Sequence, residues 1–195
     1  MDIPELKNQE NIQEHKYTIE EFYAVTGDQR AELIDGEIHY LASPVEIHQI
    51  IVGEIFTEIN LYIRRNRGKC RAFVAPFDVQ LSDDIVEPDI FVLCDTSKRS
   101  EKRCIGAPDW VIEVTSSNSE NDYNKKLNLY KDNGVREYWI INPNNKSVAV
   151  YNWESGNDIC KVHRFTDTIS PGIYKDNPEP LKICVADLIA DFNEE

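Results

Sequence analysis

Between Val45 and Arg65 the apolar residues Ile47, Ile50, Ile51, Ile55, Ile59, Tyr62 and Ile63 recur at steps of three and four. With Pro44 before them and Gly68 beyond, this spacing predicts one long amphipathic helix. The segment YTIEEFYAVTG (17–27) carries Thr18 with Glu21 three residues later and ends on Gly27, which predicts a short helix opened by a capping box. In AELIDGEIHYL, Asp35-Gly36 sits between two apolar arms and predicts a tight hairpin with Glu32 on its first arm. CRAFVAPFDVQL (70–81) and PDIFVLC (88–94) read as strands that pair, parted by the acidic turn SDDIVE. DWVIEVT (109–115) is an apolar, branched run with one carboxylate inside it, the pattern of a buried central strand.

Asp122 to Lys131 returns to helical spacing, with Leu127 and Tyr130 on one side and Asn133-Gly134 as the stop. Asp122 and Lys126 then share a helix face. REYWIIN, the turn NPNNK, SVAVYNW and the weaker CKVHRF predict a strand, a hairpin and an edge, and SPGIYKDNPEP leads to a last strand-like run, LKICVADLI. The pattern is α+β: a mixed central sheet flanked by helices. No repeat or linker interrupts it, so one domain is expected over residues 17–195 after a polar N-terminal tail, 1–16.

Composition narrows the class. A hydrophobic share of 41% and a charged share of 29% are those of a soluble globular chain without a membrane span. The start, MDIPELKNQENIQEHK, lacks the apolar core of a secretory signal. The five cysteines, at 70, 94, 104, 160 and 184, form no C-x-x-C pair and fit thiols in a reducing cytoplasm. Charge complicates the picture: 21 Lys and Arg stand against 35 Asp and Glu, a net charge of −14, whereas nucleic-acid binders are commonly basic. Two basic clusters survive that balance. One is Arg64, Arg65, Arg67, Lys69 and Arg71; the other is Lys98, Arg99, Lys102 and Arg103. Either could meet phosphates, or the first could offset a helix dipole and the second decorate a loop.

Three residues carry candidate chemistry in a fixed order. Asp89 follows Pro88 at the head of a strand, Glu113 lies inside the next apolar strand, and Lys126 rides on the helix after it. Two carboxylates on rigid neighbours suit Mg²⁺, with Mn²⁺ as a natural substitute, and a nearby lysine can hold a water or offset charge on phosphate oxygens. Taken singly, each has a plainer role. Asp89 can shape a strand entry, Lys126 can pair with Asp122 for ~0.3–0.5 kcal/mol, and Glu113 can be a core acid satisfied by Lys126. However, an ionised carboxylate in an apolar strand costs several kcal/mol unless paired or coordinated.

The chain resembles the Uma-two endonuclease family of the PD-(D/E)XK superfamily. The resemblance runs from about Tyr17 to Leu188, through AELIDGEIHYLASP, His48 on the following helix, APFDVQLSDD, EPDIFVL, APDWVIEVTSSNS, DYNKKLNLY and GVREYWIINP. It implies a restriction-endonuclease-like fold and a metal-dependent endonuclease acting on DNA, with Asp89 and Glu113 as Mg²⁺ ligands. It also implies Glu32 as a third acid and Lys126 as the lysine that assists the attacking water. A homodimer is expected, since cutting both strands of a duplex calls for two symmetric sites. The chain departs from the superfamily at Thr115, two residues after Glu113, where a lysine would stand; the resemblance places that lysine at Lys126. The loop SSNS after the strand also replaces Ser-Pro-Ser-Thr. His48, Asp78 and Asp122 are candidate site neighbours: His48 is either site-facing or a structural histidine, and Asp78 points either toward Asp89 or at solvent. The displaced lysine and the net charge leave a second reading, a binding or regulatory protein on the same fold with little catalysis.

Overall fold

The computed structural model describes residues 15–115, 120–156 and 159–192, with the side chains of residues 120–124 and 155 outside the description. The capping box forms as predicted. The Thr18 hydroxyl accepts from the Glu21 N–H, and the Glu21 side chain accepts from the Thr18 N–H, at the head of α1 (Ile19–Thr26). Next comes the hairpin of β1 (Ala31–Ile34) and β2 (Glu37–Tyr40), with Ile34 paired to Glu37. Asp35 and Gly36 both hold positive φ, 53° and 74°, the conformation that a two-residue turn of this hand demands.

The long helix α2 (Glu46–Arg65) buries Ile51, Ile55, Ile59 and Ile63 along one stripe, as its four-residue spacing requires. That stripe packs on one face of a six-stranded sheet ordered β11-β10-β9-β8-β6-β3. In this sheet β3 (Arg71–Val74) pairs antiparallel with β6 (Ile90–Leu93), which pairs antiparallel with β8 (Trp110–Val114). β8 runs parallel to β9 (Glu137–Asn142), and the hairpin to β10 (Ser147–Asn152) and the edge β11 (Cys160–Arg164) completes the sheet. β8 is buried along its whole length, the central position its composition predicts.

The stretch 70–81 departs from expectation. It forms two strands in two sheets, because Pro76, without an N–H, ends the ladder after β3. β4 (Asp78–Leu81) then joins β5 (Asp84–Val86), so SDDIVE is a turn plus a strand rather than a turn alone. Together with β7 (Arg103–Ile105) and the first hairpin they build a second sheet, ordered β2-β1-β5-β4-β7. The second sheet and α3 (Glu120–Asp132) cover the face of the six-stranded sheet that α2 leaves open, around Phe91, Val111, Tyr130 and Tyr138. LKICVADLI is not a strand either: one bridge, Ile169 to Ile183, precedes the short helix α4 (Val185–Leu188), whose Val185 fills the core under α2.

The cysteines also differ from the reading of five free thiols. Cys70 and Cys94 form a disulfide, while Cys104, Cys160 and Cys184 are free. The bonded pair lies one step beyond the Arg71↔Leu93 register, so strand pairing brings together residues whose sequence spacing carries no signal. Among the described residues no helix is long and apolar enough to cross a membrane.

Candidate active site

Strand register sets the carboxylates. Ile90 faces Ile112 across β6 and β8, so Asp89 lies opposite Glu113, one step further along. Glu113 shares the face of Val111 because side chains alternate along a strand, and that face looks toward α3 and the second sheet. Glu32 shares the face of Ile34 on β1 and approaches from the opposite side. Lys126 closes the gap: its Nζ lies 2.8 Å from Glu32 Oε1 and 3.0 Å from Glu113 Oε1. One helical turn on, the Tyr130 hydroxyl donates to the same Glu113 oxygen at 2.8 Å, so two residues four apart on α3 grip one carboxylate.

Asp89 is held independently. Its Oδ2 accepts from the Val114 N–H at 2.8 Å and lies 3.1 Å from His48 Nε2. A carboxylate at neutral pH only accepts, which puts the imidazole proton on Nε2; Nδ1 is buried without a hydrogen-bond partner among the described residues. Glu32 is anchored in turn, its Oε1 accepting from the Glu87 N–H at 2.9 Å. Glu87 itself receives Arg30, with Nε at 2.6 Å and Nη2 at 2.5 Å from Oε1.

These groups line one cavity of about 760 Å³, walled by Glu32, Glu87, Asp89, Glu113, Lys126 and His48 on one side and by the segment from Ile38 to Val45 on the other. Burial sets the electrostatics. Desolvation pushes the Glu113 carboxyl up to about 7, Lys126 opposing and Asp89 and Glu32 adding to the rise. Burial alone would lower Lys126, but Glu113 and Glu32 hold it above the ordinary lysine value, so it stays charged. Burial also raises the Tyr130 phenol well above its ordinary value, keeping it a donor.

The oxygens left over decide what could bind. Among the described residues Asp89 Oδ1 and Glu113 Oε2 accept no hydrogen bond, and they flank the open cavity rather than a sealed core. No group of three or more His, Cys, Asp or Glu side chains converges as a metal cage among the described residues. Two free carboxylate oxygens fit Mg²⁺, which keeps several waters and takes one or two carboxylates.

The other sequence candidates divide by place. Asp78 does not line this cavity; it accepts from the Tyr23 hydroxyl at 2.7 Å, and the Arg103 guanidinium stacks on Tyr23 at 5.1 Å. Lys98 is half-buried and donates to the Ala107 carbonyl at 2.8 Å, while Arg99 and Lys102 are exposed. Arg64, Arg65, Arg67, Lys69 and Arg71 are exposed at the far end of α2 from His48, ~24 Å along the axis for the sixteen residues from His48 to Arg64 at 1.5 Å each. The Asp122 side chain lies outside the described residues. Arg30, Glu87 and the Tyr130 hydroxyl were not singled out by sequence. Their signals, a lone arginine before a strand, an acid before Pro88 and an aromatic at helical spacing, are those of ordinary scaffold.

The family model described as "Putative restriction endonuclease" matches residues 19–173. Among solved structures, that of "a putative nuclease belonging to DUF820" from Anabaena variabilis ATCC 29413 matches with a TM-score of 0.73 at 25% identity, covering 89% of this chain and 97% of that one. No curated protein matches the sequence.

Proposed function

The chain belongs to the Uma2 family, described as "Putative restriction endonuclease", and from that premise we propose that the cavity hydrolyses phosphodiester bonds in DNA with the help of a divalent metal. One observation carries this reading: Asp89, Glu113 and Lys126, distant in sequence, meet on the wall of a single open cavity. Asp89 and Glu113 would hold Mg²⁺, or Mn²⁺ in its place, and such an ion would supply Lewis-acid polarisation and a more acidic water.

The rest is the work of the chain. Lys126 sits where an ammonium can orient a water on Glu113 and offset charge developing on the phosphate oxygens. Glu32 holds Lys126 in that place. Tyr130 fixes Glu113 and His48 fixes Asp89, each by occupying one carboxylate oxygen and turning the other toward the cavity. Duplex cleavage on this plan uses a homodimer, one site per strand.

Two assays test the proposal together: calorimetric titration with Mg²⁺ and Mn²⁺, and cleavage of a panel of supercoiled, linear and single-stranded DNA and RNA. Metal binding lost in Asp89→Asn, with cleavage lost in Lys126→Ala while the fold survives, is the expected result. Full cleavage by Lys126→Ala would remove the role of the lysine. Absence of both metal binding and cleavage in the wild type would instead favour a binding protein on a nuclease fold, the reading to which the net charge of −14 points.

A further inference from the structure

Three cations line the cavity: Arg30, Lys125 and Lys126. Lys126 is enclosed by two acids. Lys125 shares Glu37 with Lys16, and all three of those side chains are more than two-fifths exposed. Arg30 differs from both. It meets Glu87 side-on, Nε and Nη2 both reaching Oε1, and Glu87 is 5% exposed against 38% for Arg30. One end of the pair is therefore sealed in the wall and the other opens into the cavity.

Side-on pairing uses one N–H of Nε and one of Nη2. Nη1 makes no hydrogen bond or ion pair among the described residues. The Nη1–Nη2 edge, which grips two oxygens of a phosphate with parallel N–H bonds, is left free on a guanidinium whose orientation is already fixed. Glu87 ties this arginine to the reacting groups, since its N–H holds the Glu32 oxygen that Lys126 contacts.

We infer that Arg30 is the phosphate-gripping residue of this cavity, seating a phosphodiester of the nucleic-acid strand beside Lys126 while Glu87 holds the guanidinium in place. The inference rests on the nuclease reading of the same site. Its test is fluorescence anisotropy of fluorescein-labelled single-stranded and duplex DNA oligonucleotides on the full chain, in EDTA and again with calcium, over a salt series. Arg30→Gln should raise Kd about tenfold and reduce the slope of log K against log salt by about one phosphate contact. Arg30→Lys, which keeps charge but not the fork, should give an intermediate Kd with the wild-type slope. Glu87→Gln should weaken binding but keep the slope, because the arginine remains. The charge-matched Lys175→Gln, on an exposed residue outside the site, should stay within about twofold of wild type.

A wild-type slope in Arg30→Gln would overturn the inference, as would identical losses of affinity and slope in Arg30→Gln and Glu87→Gln, the mark of a purely structural pair. If Arg30→Gln fails to fold, Arg30→Lys decides by affinity, a wild-type Kd overturning the inference. A wild type that binds no oligonucleotide in either condition overturns the inference along with the nucleic-acid reading. Binding that Arg30→Gln leaves untouched overturns only the former.

Discussion

Replacing Lys126 with methionine removes the cation between Glu32 and Glu113 while nearly keeping its volume. In the wild type those two carboxylates are 4% and 10% exposed, and Nζ reaches both within 3.0 Å. What remains in the variant is the Glu87 N–H on Glu32 and the Tyr130 hydroxyl on Glu113. Breaking a buried ion pair from one side costs ~3–5 kcal/mol.

The cost should depend on pH, with a sign that follows from Glu113. Its folded carboxyl already titrates at about 7, above the ordinary 4.5. Between those values the folded state holds a proton that the unfolded state has lost, so this group makes stability fall as pH rises. Without Lys126 the folded value moves higher still. Wild type and variant then share one slope below about pH 7, and above it only the variant goes on losing stability, by up to ~1.4 kcal/mol per pH unit for one proton. Urea denaturation in EDTA at pH 6 and pH 8.5 should show the gap widening by ~2 kcal/mol. A gap that is constant with pH, or below about 1 kcal/mol at pH 8.5, would refute a buried, mutually neutralising cluster.

Three further outcomes follow from single contacts. His48→Ala removes the imidazole from Asp89 Oδ2, 3.1 Å away, and should weaken Mn²⁺ binding ~10–100-fold by calorimetry with little change in thermal midpoint. Glu137 is 1% exposed and accepts from Trp139 Nε1 at 2.6 Å and the Ile173 N–H at 3.2 Å. Glu137→Gln turns an amide N–H toward one of these donors and should cost ~1–3 kcal/mol in urea melts. Reducing the Cys70–Cys94 disulfide, which spans a sequence separation of 24, should lower unfolding free energy by ~3 kcal/mol, measured by denaturation with and without reductant.

The elements that the sequence foretells are those whose signals are local. The Thr18–Glu21 box, the Asp35-Gly36 turn and the isoleucine stripe of α2 each lie within one or a few turns of chain, and each forms as read. The errors fall where distant pairing decides. CRAFVAPFDVQL holds enough apolar alternation for one strand, and only its two partners, β6 for the first half and β5 for the second, assign the halves to different sheets. LKICVADLI has a branched, apolar composition suited to a strand, yet it ends as α4 because the place it fills lies under a helix. Tertiary packing overrides a propensity worth ~1 kcal/mol. The cysteine pair is the same case in covalent form.

The site divides along the same line, and Thr115 shows why. Thr115 stands two residues after Glu113, one past the end of β8, and lines the same cavity; a lysine at 115 would continue the face of the carboxylate, legible as a local motif. Here Lys126 comes down on that face from the covering helix, 3.0 Å from Glu113. Nothing within three residues of Glu113 announces it. The order of acid, acid and lysine marked the candidates, whereas their meeting depends on Tyr130, one turn further on, which packs in the apolar layer beneath α3 and keeps the helix in register with β8. The tyrosine is therefore both core and site, and core is the half of that role that hydrophobic spacing can encode. With Thr at 115 and the cation on α3, Glu113 is paired through packing rather than through a local motif. The Lys126–Glu113 contact then depends on the fit between α3 and β8.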